Sequence, residues 1–228
     1  MSQQTLQTPK PPVCMLTGHT TQQETSLTVH CYDKTFKQVT ASLDTGAASD
    51  EPLFDVQGAV WGTSWSLRRK VHSRSSPGNA GSESTHSHLF DFRHHSLDLK
   101  NGWVVEAAGD GRVLATLVHS NFATKHHSNI NATVYTTAGE DILVTMHQLG
   151  DDAKVVQLRV GGKPFATIEK AEANKTQVTL VGGFVMQQQA GGNKPRTVWK
   201  VKTAAGVDLS LVMVMVLSRA EMAHVWGK

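Results

Sequence analysis

The stretch Asp208-Leu-Ser-Leu-Val-Met-Val-Met-Val-Leu-Ser-Arg-Ala-Glu-Met-Ala (208–223) decides how the rest of the chain is read. From Leu211 to Leu217 every residue is apolar. The valines would suit a buried strand. Gly206 ahead of the run, Asp208 as an N-cap and the continuation Arg219-Ala-Glu-Met-Ala favour a helix instead. A helix that is apolar on every side must be buried on every side. In a closed barrel of strands, one place can hold it, the lumen. Met213 and Met215 fit an irregular cavity because their unbranched side chains adapt. The alternatives are a helix covering a sheet edge, or a final strand. Asp208 and Ser210 interrupt the wider apolar stretch from Val207 to Leu217, which falls well short of the roughly 18–20 apolar residues that cross a bilayer. No transmembrane segment is therefore expected.

Working outward, the preceding chain is built of short β-type runs. Candidate strands lie at 27–32, 36–41, 53–57, 64–69, 88–93, 102–106, 112–119, 132–136, 142–147, 155–160, 164–170, 177–186 and 197–201. Gly109-Asp110-Gly111, Gly150-Asp151-Asp152 and Gly161-Gly162 separate neighbouring runs, and such joins favour hairpins over helical crossovers. About a dozen strands at this spacing point to an antiparallel barrel or sandwich. A weak repeat supports a shared core: Pro52-Leu-Phe-Asp-Val is echoed by His88-Leu-Phe-Asp-Phe, each followed by a tryptophan-bearing strand, with Trp65 and Trp103. Val113-Leu-Ala-Thr-Leu reads as a third, worn copy. The segment from Gly78 to Thr85 reads as a loop.

The 228 residues suit one such domain. Residues 1–24, rich in Gln, Thr and Pro, read as a flexible tail, although Val13-Cys14-Met15-Leu16 could dock on the domain of residues 25–228. No secretory signal is visible. With only Cys14 and Cys31, the reading is a cytoplasmic chain with reduced thiols. The sequons at Asn131 and Asn174 then carry no meaning. Lys and Arg number 22 against 19 Asp and Glu, a net charge of +3. That permits contact with anionic surfaces without demanding nucleic acid, and aromatics at 6% give no base-stacking platform.

Twelve histidines raise the question of a metal. His86 and His88 share one strand face, whereas the adjacent pairs His94-His95 and His126-His127 point to opposite faces. No Cys-x-x-Cys or His-Glu-x-x-His accompanies them, and neither a metal nor another cofactor is expected. No Gly-x-Ser-x-Gly elbow or phosphate loop occurs, so the chain reads as non-enzymatic. Asp55 and Asp91, at matching points of the repeat, could form a carboxylate pair, but a strand-end or turn role is simpler. The best candidate site is a basic strand face. Lys194, Arg196, Lys200 and Lys202 share one parity, while Thr197, Trp199 and Val201 take the other. An extended chain would line the four cations along one side, where phosphate headgroups or acidic lipid could bind. Arg68 and Lys70 share a face of another strand and could extend the patch.

Several of these runs resemble the LURP-one-related family. They are Glu51-Pro-Leu-Phe-Asp-Val-Gln-Gly, Ser66-Leu-Arg-Arg-Lys, His88-Leu-Phe-Asp-Phe-Arg-His-His-Ser-Leu, Asn101-Gly-Trp-Val-Val-Glu and, most closely, the terminal segment from Gly206 to Met222. The likeness covers roughly residues 25–225. It implies a tubby-like fold, a closed antiparallel barrel of about 12 strands around a buried hydrophobic C-terminal helix. That architecture is shared with phosphoinositide-binding tubby domains and with phospholipid scramblases, and plant members of the family are associated with pathogen defence. The expected function is a cytoplasmic module, peripheral at membranes, that binds a phosphoinositide or a protein partner. The alternative is a small-molecule binder or enzyme with a pocket at the barrel mouth.

Overall fold

The computed structural model describes residues 5–32, 38–44, 52–58, 68–74, 86–95, 102–120, 129–150, 154–171, 179–181, 184–186 and 195–226. The elements are β1 (Thr25–Cys31), β2 (Gln38–Leu43), β3 (Phe54–Gly58), β4 (Arg68–Arg74), β5 (His86–His95), β6 (Gly102–Ala107), β7 (Val113–His119), β8 (Ile130–Tyr135), β9 (Asp141–Leu149), β10 (Val155–Val160), β11 (Lys163–Ala171), β12 (Thr179–Val181), β13 (Phe184–Met186), β14 (Thr197–Thr203) and α1 (Leu209–Trp226). Strands β1 to β11 follow one another round a ring, and β14 pairs with both β11 and β1 to close an antiparallel barrel of twelve strands. Closure leaves the barrel itself without a free edge strand.

Alternation fixes which side chains face the axis. Leu27 and Val29, Phe54 and Val56, Phe90 and Phe92, Val144 and Met146, Ile168, Trp199 and Val201 are all buried in one core. The intervening residues look outward, as the period of a half-buried strand requires. The two repeat copies therefore fall on β3 and β5 with matching orientation: Phe54 and Val56 repeat Phe90 and Phe92 inside, while Asp55 and Asp91 stand on the outer wall. The β10–β11 hairpin turns at Gly161 and Gly162, both at positive φ, as a two-residue turn of this hand needs.

Helix α1 runs along the axis. Every residue from Leu211 to Ala220 is buried. Glu221 accepts a hydrogen bond from the Trp103 indole on β6 and pairs with Arg69 on β4. Arg219, facing away from Glu221, lies over the Trp199 ring on β14, 5.8 Å from its centroid. In the ring of twelve, β14 and β6 stand opposite each other. A helix that touches both must pass through the middle.

Two expectations need correction. Residues 5–24 are tied down rather than forming a loose tail. Gln7 N donates to Pro164 O, Thr137 N donates to Cys14 O, and Val13 and Met15 are buried. These bonds are made by main chain, which a Gln, Thr and Pro composition does not advertise. The run expected at 177–186 gives two short strands that, among the described residues, pair with each other and are not members of the barrel sheet. Of the strand expected at 64–69, residues 68 and 69 open β4 (Arg68–Arg74), and 64–67 lie outside the described residues. Trp65, the loop from Gly78 to Thr85, Asn174 and the His126-His127 pair lie outside the described residues.

The junction of β14 and α1 joins strap, strand and helix. Thr21 donates its amide to Val207 O and its hydroxyl to Ala204 O, and it accepts from Gly206 N and Val207 N. Asp208, fully buried, caps the helix: its Oδ1 accepts from Ser210 N at 2.8 Å and from the Ser210 hydroxyl at 2.5 Å. Its Oδ2 accepts from Met15 N at 2.7 Å and Leu16 N at 2.9 Å. One carboxylate thus holds the helix start and the N-terminal strap together. The strap lies across the end of the barrel where α1 enters.

Candidate functional site

The basic face expected on β14 is there in part. Trp199 and Val201 point inward, and Lys200 and Lys202 point outward and are exposed. Arg196 lies just ahead of the strand, exposed, with its main-chain N–H on Cys31 O. Lys194 lies outside the described residues.

The neighbours of each cation decide what it offers. Lys200 sits opposite Glu169 on β11 and Thr28 on β1, and its Nζ is 3.5 Å from Asp44 Oδ2. The Thr28 hydroxyl donates to the other Asp44 oxygen at 3.2 Å. Lys200 is therefore balanced by acids. His30, next to this row, has its pKa lowered by burial and further by Lys200, against the pull of Asp44. Lys202 lies between Ser26 and Thr167. Among the described residues, neither Lys202 nor Arg196 has a carboxylate partner.

Arg68 and Lys70 do not extend this patch. They stand outward on β4, and β1, β2 and β3 lie between that strand and β14. Arg68 is also engaged. Its Nη2 is 3.0 Å from Glu106 Oε2 and its Nε is 3.6 Å from Asp91 Oδ2. Arg93 holds the other oxygen of Glu106 at 2.6 Å, and His88 Nε2 is 3.1 Å from Asp91 Oδ1. The Arg93 hydrogen bond, more than the nearby charge of Arg68, holds the Glu106 carboxyl below its ordinary pKa. Lys70 is exposed, opposite Asp91. This wall is a closed charge ladder rather than a free basic surface.

The other candidates separate. Asp55 faces His72 and Asp91 faces Lys70 across the two sides of β4, so the two aspartates do not pair. His88 is committed to Asp91, and its ring lies tilted against His72 with centroids 5.1 Å apart. His94 meets the edge of Trp103. Among the described residues, no three metal-ligating side chains converge, and no helix is long and apolar enough to cross a membrane. The axis of the barrel, where a small-molecule chamber would lie, is filled by the side chains of α1.

The wall beside Lys202 holds a feature that parity alone did not single out. On β10, Val156 and Leu158 face the core, which leaves Gln157 and Arg159 on the outside. Gln157 is nevertheless only 2% exposed. Its Oε1 accepts from Arg159 Nε at 2.9 Å and from Nη2 at 2.7 Å. A neutral amide therefore orients this half-buried guanidinium, and no carboxylate pairs with it among the described residues. On β9, His147 is opposite Gln157 and lies 3.0 Å from the Thr145 hydroxyl. Burial, with Arg159 adding to it, pushes the His147 pKa down. A lone Arg in a strand pattern gives no such signal; the pairing register is what brings these groups beside Lys202.

No family model matches the chain, and no curated protein and no solved structure shows significant similarity to it.

Proposed function

We propose that this chain is a non-catalytic barrel that binds anionic membrane surfaces, phosphoinositides above all, through the outer wall around β14. The observation that carries the reading is the exposed pair Arg196 and Lys202, without acid partners among the described residues, on a barrel whose axis is filled by its own helix. With the inside occupied, recognition falls to the outside. The closed barrel of twelve strands around a C-terminal helix also supports placing the chain among the LURP-one-related, tubby-like proteins. The setting that accompanies this reading is the cytoplasm, with the protein peripheral at membranes in signalling or stress and defence.

Co-sedimentation with phosphatidylcholine vesicles, with and without phosphatidylinositol bisphosphate, tests it. Near an anionic surface each cation contributes about 1 kcal/mol, so Arg196→Gln with Lys202→Gln should weaken partitioning about thirtyfold. Lys200→Gln should matter less, because Asp44 and Glu169 already offset that charge. Wild-type protein that ignores the anionic lipid, or a double variant that binds as wild type, would overturn the proposal.

A further inference from the structure

The N-terminal strap is held unevenly. Residues 13–21 are fixed by the Asp208 carboxylate on the Met15 and Leu16 amides, by the bond from Thr137 N to Cys14 O and by the bonds of Thr21. Val13 and Met15 are also buried. Residues 5–12, Thr-Leu-Gln-Thr-Pro-Lys-Pro-Pro, form neither helix nor strand. Pro9, Pro11 and Pro12 have no N–H to donate. Among the described residues, one main-chain bond ties this half to the barrel, from Gln7 N to Pro164 O at 2.8 Å. Leu6 packs partly against the core, and Pro9 is buried. Thr8, between them, is exposed. Its methyl Cγ2 faces the β14–α1 turn, where a Cβ on Gly206 would lie 2.9 Å away. Its hydroxyl makes no hydrogen bond to a described residue. Pro9 follows directly, and a residue before proline is biased to extended backbone.

We infer that Thr8 is a phosphorylation site for a proline-directed protein kinase, and that the added phosphate releases residues 5–12 from the end of the barrel while residues 13–21 stay docked. A kinase needs an accessible hydroxyl on a backbone that can be drawn out straight. Drawing out residues 5–12 breaks one described main-chain bond, whereas drawing out residues 13–21 would strip the buried Asp208 carboxylate of two. The reaction moves the γ-phosphoryl group of ATP to Thr8 Oγ1. The new P–O bond forms, the bond to the β-phosphate oxygen of ADP breaks, and the hydroxyl proton passes to the catalytic carboxylate of the kinase. The product is a strongly hydrated dianion. It stands on the turn at Gly206, two residues before the buried Asp208 carboxylate, where desolvation and like charge both oppose its docking. Lys10, near Thr8 in the chain, and Lys163, next to Pro164, are exposed, so water and salt screen their pull. The site does not depend on the anionic-lipid reading.

The test treats the full chain with ATP and a purified proline-directed kinase, maps the phosphate by mass spectrometry and follows the strap by hydrogen–deuterium exchange. Phosphate should appear on Thr8, persist at that position in Thr8→Ser and be absent from it in Thr8→Val. Pro9→Ala should slow the labelling of Thr8 about tenfold, the low end of what one lost recognition feature costs an enzyme. In the phosphorylated protein the Gln7 amide should exchange about tenfold faster, the worth of one hydrogen bond, while the Met15 and Leu16 amides keep their unmodified rates. Thr8→Val keeps the methyl that faces Gly206 and, carried through the same reaction, controls for phosphate elsewhere, including Ser76, the other residue of its kind followed by proline. No phosphate on Thr8, or equal labelling of Pro9→Ala, would overturn the site. Unchanged exchange at Gln7, or faster exchange at Met15 and Leu16 as well, would overturn the release of the outer half alone.

Discussion

Replacing Asp208 with alanine should loosen two parts of the protein at once. The carboxylate caps α1 through Ser210 and holds the strap through the amides of Met15 and Leu16. Loss of an N-cap costs about 1 kcal/mol. The Met15 amide is buried, and leaving it without an acceptor costs about 1–3 kcal/mol. Leu16 is half-buried, so water can take over part of its bond. The sum is about 2–4 kcal/mol. At roughly 2–4 °C per kcal/mol for a chain of this size, the Tm should fall by about 4–16 °C. Asp208→Asn keeps one carbonyl oxygen and should lose about half as much. Urea unfolding followed by tryptophan fluorescence measures the change at constant m-value. The decisive comparison is the same substitution in a chain lacking residues 2–16. There the strap amides are gone, and Asp208→Ala should cost only the cap, about 1 kcal/mol. Equal costs in the two backgrounds, or a cost below about 1 kcal/mol in the full chain, would refute Asp208 as the joint between strap and helix.

Three further outcomes follow from the same structure. Gly206 has φ +75° and a Cβ there would come within 2.9 Å of Thr8 Cγ2, so Gly206→Ala should cost about 1–2 kcal/mol by chemical unfolding, partly relieved by Thr8→Ala. Arg69→Met leaves Glu221 without its cationic partner and should cost about 3–5 kcal/mol, whereas Arg69→Met with Glu221→Met should recover part of this in the same measurement, short of wild type because the buried Trp103 indole N–H loses its acceptor. Stability should also fall with acid in two stages. His19, His30 and His147 have folded pKa values below the ordinary 6.5, each lowered chiefly by burial, so the unfolded chain binds more protons as pH drops below 6.5 and the stability they confer at higher pH is lost. Glu106, depressed by Arg93, adds a further loss below its ordinary 4.5; a flat pH–stability profile from neutrality to that range would contradict these environments.

The sequence carried the architecture well because each strand writes its orientation into alternate residues. Phe54 and Val56, Phe90 and Phe92, and Trp199 and Val201 all face the core as their parity implies. The unbroken apolar run after Asp208 has one consistent location in a closed barrel, and α1 occupies it. Register was not legible. Parity says that Lys200 and Lys202 share a face, but only the pairing shows that Lys200 meets Glu169 and Asp44 while Lys202 meets Thr167. The same blindness joined Arg68 and Lys70 to a patch that three strands separate from them. The docking of residues 5–24 was hidden for another reason. Apart from the Thr21 hydroxyl, the bonds described run from main chain to main chain or to the Asp208 carboxylate, and side-chain composition records little of them beyond the apolar Val13 and Met15.

Hydrogen–deuterium exchange on α1 tests the central claim most directly. If the helix threads the barrel, the amides of residues 211–220 can exchange only when the wall opens, and they should be among the slowest in the protein. Exchange of those amides well ahead of the β9, β10 and β11 amides would contradict a helix held inside the barrel and remove the reason for assigning recognition to its outer wall.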